Sequence, residues 1–207
     1  MAERIGVLLT AGAQEKTNGG LRIEPDPEGK IRAIGALDDL IKGRITQICV
    51  LGGQTMYGQP LSSHYAAYLS RFSHRYGFPE DRIQRLLGAV DTTSDIKRAT
   101  EELPREELEN AVIYSNEFHL ESAAITMSTF GFNVETRPTD KITKARHHLY
   151  PKVVDRILTE DFLDKMEKRE RVKKLILFID TVPLVSKLHL GQRVLELQAK
   201  RIRQGEK

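Results

Sequence analysis

The 207-residue chain contains a single cysteine, Cys49, so no internal disulfide can form, and in "QICVLGG" that residue reads as a small buried hydrophobe. Long uncharged apolar runs are missing as well. The opening "MAERIGVLLTAG" puts its charges first and follows them with a run too short for a bilayer span or a signal-peptide core. A soluble protein in a reducing, cytoplasmic setting is the expectation. Several chemistry-bearing motifs are absent too. There is no G-x-G-x-x-G, no G-x-x-x-x-G-K-[ST] and no G-x-S-x-G. The histidines at 64, 74, 119, 147, 148 and 189 show no metal-ligand spacing, so no metal is expected.

Hydrophobic residues make up 40% of the chain and charged ones 29%, enough apolar material for a folded core. The net charge of +3 is unevenly placed: residues 1–140 carry 15 Lys and Arg against 20 Asp and Glu, whereas residues 141–207 carry 17 against 9. The last third therefore reads as a separate layer, a basic helical extension over 141–207 following an α/β domain over 1–140. Its charge suits either a solvated helical face or, less simply, a surface for nucleic acid or acidic membrane.

Strand-like and helix-like runs alternate. "RIGVLLTAG" (4–12) and "ITQICVLGG" (45–53) are apolar on consecutive positions, as strands buried on both faces require. Between them lie a loop, "TNGGLRIEPDPEG", and a helix over 30–43 with Ile31, Ile34, Leu37 and Ile41 on one stripe. A helix over 62–77 with a serine cap, a strand over 82–88 and a helix over 91–103 follow. A strand over 110–115, a helix over 118–131 and a strand over 132–138 complete the pattern. Five βα repeats with short connections predict an α/β fold, a parallel sheet of about five strands flanked by helices on both faces. Beyond 140, one helical stripe (Val153, Val154, Ile157, Leu158, Phe162, Met166) and a second helix after Pro183 are expected, packed on the sheet domain or on a second subunit.

Ligands of open parallel sheets bind outside the carboxyl ends of the strands. In this sequence those ends are polar and glycine-rich: Thr10, Gly12 and Gln14; Gly52, Gly53, Gln54 and Thr55; Asp91, Thr92, Thr93, Ser94 and Asp95; Ser115 and Asn116, then His119. Taken singly, these residues serve turns and caps; Thr92 with Asp95 forms a capping box. Together they suggest one rim suited to a phosphate, carboxylate or other anion. Thr92 and Thr93 would hold the oxyanion, and Gly52 and Gly53 would let backbone approach it. His119 would serve as acid or base, with Asp95 orienting either it or a ligand hydroxyl.

The motifs "LGGQ" (51–54), "DTTSDI" (91–96) and "YSNEFHLESA" (114–123), followed by "FGFNVETRP", resemble the YdcF/SanA/ElyC-like family, a bacterial domain without assigned function. The resemblance covers about residues 4–140, with Arg32, Gly52, Gly53, Thr93, Asp95, Phe118, His119 and Ala123 at matching places. It departs at Ser122, Ile96 and Ser63–His64, where the family carries Arg, Asn or Ser, and a Ser/Asn–Glu pair. The resemblance implies a Rossmann-like domain with a ligand site to which Arg32 belongs, and it names no reaction. By analogy with other folds of this class, an adenosyl compound such as S-adenosylmethionine is one candidate ligand. The alternative is an oligomerisation or partner-binding protein that acts through its basic tail and keeps a vestigial ligand site.

Overall fold

The computed structural model describes residues 4–16, 22–86 and 92–146, and beyond them 148, 151, 155, 157–165, 167–168 and 171. The chain divides into two compact units, Met1–Thr159 and Glu160–Lys207. The second predicted helix of the tail lies outside the described residues, as do Val153, Val154 and Met166. Ile157, Leu158 and Phe162 of the predicted stripe are half-buried.

Five parallel strands form the sheet: β1 (Ile5–Leu9), β4 (Gln47–Leu51), β7 (Ile83–Leu86), β8 (Val112–Ser115) and β9 (Glu135–Pro138). Their order is β7-β4-β1-β8-β9. Central β1 pairs with β4 from Ile5↔Gln47 to Leu9↔Leu51, and with β8 from Gly6↔Val112 to Leu8↔Tyr114. The chain builds outward from β1 in one direction and then returns to build in the other. This places the topological switch point between β1 and β8.

The period of two along each strand sorts the core into two layers. Leu8, Ile48, Val50, Val112 and Tyr114 pack with α1 (Pro27–Ile41) and α2 (Leu61–Ser70). Val7, Leu9, Cys49, Leu51 and Ile113 pack with α4 (Thr92–Glu102), α5 (Arg105–Glu109) and α6 (Glu117–Thr129). Strands covered on both faces must be apolar throughout, and β1 is buried at all five positions. A short helix α7 (Thr139–Ala145) continues directly from β9 and packs on α1, with Thr143 Oγ1 donating to the Ile31 carbonyl at 3.4 Å.

Local details differ from expectation for identifiable reasons. The stretch predicted as a loop after β1 holds β3 (Arg22–Pro25), which pairs antiparallel with β2 (Ala13–Lys16). Helix α1 starts at Pro27, earlier than its apolar spacing indicates. Asp26 accepts the Gly29 amide at 2.7 Å, and proline suits a first helical turn, where no amide partner is needed. Ile41 ends that helix 39% exposed, and Leu40 is buried in its place. Ser62 caps nothing: α2 follows Pro60, and its Leu61 and Ser62 amides donate to the Gln54 and Gly52 carbonyls, each at 3.0 Å. The predicted end at Gly77 instead closes a separate turn of helix, α3 (Ser73–Tyr76), with φ of 72°.

Candidate functional site

Strand order brings the carboxyl ends of β1, β4, β7 and β8 to one edge, and the helices that follow sort their polar residues onto two faces. On the α1/α2 face, the β1 end is tied down from both helices. Arg32 Nη1 donates to the Leu9 and Thr10 carbonyls at 3.1 Å each, and its other terminal nitrogen pairs with Glu28. At 4% exposure this guanidinium braces the strand end from within. Tyr65 Oη accepts the Ala11 amide at 2.8 Å and donates to the Gly12 carbonyl at 3.3 Å. Burial pushes this phenol's pKa up, so it stays a neutral donor at all working pH values.

The glycines of this face permit close packing. A Cβ on Gly52 would collide with the Thr10 side chain, and one on Gly12 with the Asp26 carboxylate. Gly53 and Gln54, both half-buried, lead into a small hairpin of β5 (Thr55–Met56) and β6 (Gln59–Pro60). Gln14 lies within β2 opposite Glu24.

On the other face, the first turns of α4 and α6 meet. Thr92 Oγ1 and His119 Nε2 lie 3.3 Å apart, within hydrogen-bond distance. Helix α4 begins at Thr92 itself, whose hydroxyl turns to His119. Thr93 beside it is exposed, and Asp95, one turn on, is buried. Asp91 lies outside the described residues. Ser115 ends β8 fully buried on the same side as Ile113, and its hydroxyl has no hydrogen-bond partner among the described residues. Asn116 is 2% exposed and accepts a bond from Thr139 Oγ1 at 3.3 Å.

The helix starts at this edge are not equivalent. Asp26 fills the start of α1, and backbone carbonyls satisfy the first amides of α2. At α6, the Glu117 amide donates to Asp140 Oδ1 at 2.9 Å. A protein carboxylate thus occupies the place an anionic ligand would take, and burial holds Asp140 above the ordinary carboxylate range. At α4, the Thr92 side chain lies against His119.

Structure thus groups Thr92 with His119 in one set and Thr10, Gly12, Arg32 and Gly52 in another, with Ser115 at the end of the strand beside β1. Sequence reasoning did not reach Asp26, Tyr65, Thr139 and Asp140, which hold the edge together. Asp26–Pro27 is readable as a cap followed by a first-turn proline. Asp140 carries no local signal, because its partner is 23 residues away.

No protein-family model, curated protein or solved structure matches this chain. Among the described residues, no helix is long and apolar enough to cross a membrane.

Proposed function

We propose that this chain binds a small anionic or nucleotide-like metabolite at the carboxyl edge of its parallel sheet, with the anion at the start of α4. The approach of Thr92 Oγ1 to His119 Nε2 at 3.3 Å carries the reading. It joins two helix N-terminal turns on one face, beside the strand pair where ligands of such sheets collect. Helix α4 runs 11 residues, long enough for its first amides and macrodipole to favour negative charge. Thr92 and Thr93 add hydroxyl donors, and an imidazole next to a bound oxyanion is placed to exchange a proton with it. Membership of the YdcF-like family belongs to the same proposal. Gly52, Gly53, Thr93, Asp95 and His119, which carry that resemblance, all fall in the joins at this edge.

Thermal unfolding with inorganic phosphate, ribose 5-phosphate, nucleotides and S-adenosylmethionine tests this. A ligand present at a hundred times its Kd stabilises by about 2.7 kcal/mol, and Thr93→Ala or His119→Ala should abolish the gain. A flat response to every compound, together with salt-sensitive binding of RNA or acidic lipid by the full chain, would instead favour a partner-binding role for the basic tail.

A further inference from the structure

The β2–β3 ribbon follows β1 and gathers charge of one sign on one face. Directly opposite residues of an antiparallel pair point the same way, so Gln14 with Glu24, and Lys16 with Arg22, share that face. Glu15, paired with Ile23, belongs to the other face. Glu24 is the centre of the cluster. Its carboxylate meets Arg71 Nη1 from α2 at 2.8 Å, Lys30 Nζ from α1 at 3.1 Å and Lys16 Nζ at 3.8 Å. Lys16, Arg22, Lys30 and Arg71 thus surround a single carboxylate, within residues 1–140 whose balance is otherwise acidic.

Two features separate this cluster from a solvated surface ion pair. Glu24 is 5% exposed, so the anchor beneath the cations is fixed. Burial would raise its pKa, but Lys30, Arg71 and Lys16 together hold the carboxyl below its ordinary range. The second feature is repulsion. Lys16 and Arg22 are both exposed and lie directly opposite each other, an arrangement that destabilises a strand pair. Arg22 makes no ion pair among the described residues. The face therefore keeps more positive charge than the protein itself neutralises.

We infer that this face binds a compact, multiply charged oxyanion, a diphosphate group, between the ribbon, Lys30 and Arg71. The heads of Lys16, Lys30 and Arg71 all lie within 3.8 Å of one carboxylate, a cluster too tight to track an extended polyanion. Arg22 adds a planar fork on the same face, suited to paired phosphate oxygens. Glu24 holds its partners in place without cancelling them, and a bound anion relieves the repulsion across the ribbon. The site goes beyond the one proposed at the start of α4 and shares no residue with it.

Titration calorimetry at low salt tests this with inorganic diphosphate, inorganic phosphate, adenosine 5′-diphosphate and a short single-stranded RNA. Wild type should bind diphosphate more tightly than phosphate, and the double variant Lys16→Gln/Arg22→Gln should bind it about tenfold or more weakly. The part of the binding lost in that variant should survive in Thr93→Ala. Without anion, the double variant should unfold at no lower temperature than wild type, because a like-charge pair has gone; with diphosphate, wild type should gain more. Equal affinity for the two diphosphates assigns the site to the free anion, and a nucleotide preference lost in the double variant assigns it to a nucleotide's diphosphate. If Thr93→Ala removes the binding and the double variant keeps it, the ribbon site is refuted while the α4 site stands. No diphosphate binding by wild type also refutes it, and RNA bound in place of diphosphate would make the face a nucleic-acid surface instead.

Discussion

Asp140 accepts the Glu117 amide at 2.9 Å, so the first turn of α6 is capped by a carboxylate that α7 delivers from across the β8–β9 pair. The cap ties the last helix of the sheet layer to the edge where the candidate site lies. Asp140 is 8% exposed, and its raised pKa reflects burial first, only partly offset by the amide bond.

Asp140→Ala leaves that amide uncapped and should cost about 1 kcal/mol in urea unfolding. Asp140→Asn keeps an acceptor oxygen without the buried charge, and should be at least as stable as wild type at pH 7. The sign of the pH dependence follows from linkage. With its folded pKa raised above the ordinary 3.8, Asp140 binds more protons in the native state. Its contribution is fullest below 3.8 and is lost as pH rises through the folded pKa. Wild type should therefore lose stability relative to Asp140→Asn over that climb, then run parallel to it. A difference that stays constant from pH 3 to 8 would contradict this account.

Asp39, fully buried on α1, gathers three partners: the Tyr114 hydroxyl at 2.8 Å, and Arg137 and Arg44 at 2.9 Å each. Tyr114→Phe removes one hydrogen bond to a charged group and should cost about 1.5–3 kcal/mol. Asp39→Ala leaves the buried Tyr114 hydroxyl unpaired and also removes the ion pairs to Arg137 and Arg44, whose side chains are 27% and 50% exposed, so it should cost more than Tyr114→Phe by about 1 kcal/mol. Chemical denaturation of both variants checks the order, and equal losses would mean that the ion pairs contribute nothing.

The β1 end offers a packing test. Gly52→Ala pushes a methyl into Thr10 and should destabilise by about 1–3 kcal/mol. Adding Thr10→Ala should recover part of the loss, since the two nearest atoms in its way, Thr10 Oγ1 and Cγ2, are then gone. Additive losses in the double mutant would mean that the collision is not with Thr10.

Cys49 lies at the centre of the sheet with no exposure, and burial pushes its thiol up to about 12. Iodoacetamide at pH 8 should leave the native protein unlabelled and modify it fully in urea. Rapid native labelling would show that the sheet opens locally.

Much of the sheet is legible in short words of the sequence. The apolar run "IGVLL" declares a strand covered on both faces, and "ICVL" does the same, while Gly131, with φ of 82°, ends α6 where its position suggests. Residues 22–25 were hidden because β3 forms only by pairing with β2, and a proline-rich stretch has little strand signal of its own. "TMYGQ" does contain a turn signal, a residue followed by glycine between two short runs, but not the left-handed φ of 51° that Tyr57 adopts.

By itself the sequence determined the alternation of strands and helices, the burial of β1 and β4, and the polar character of the strand ends. These follow from side-chain period and capping within a few residues, which any segment carries alone. Tertiary structure alone decided what those polar residues do. Strand order set Arg32 under the β1 carbonyls, Tyr65 against Ala11, 54 residues away, and Asp140 on α6, and it brought Thr92 to His119 across 27 residues. Hydrogen bonds over such separations depend on which strands become neighbours, and no local pattern encodes that choice.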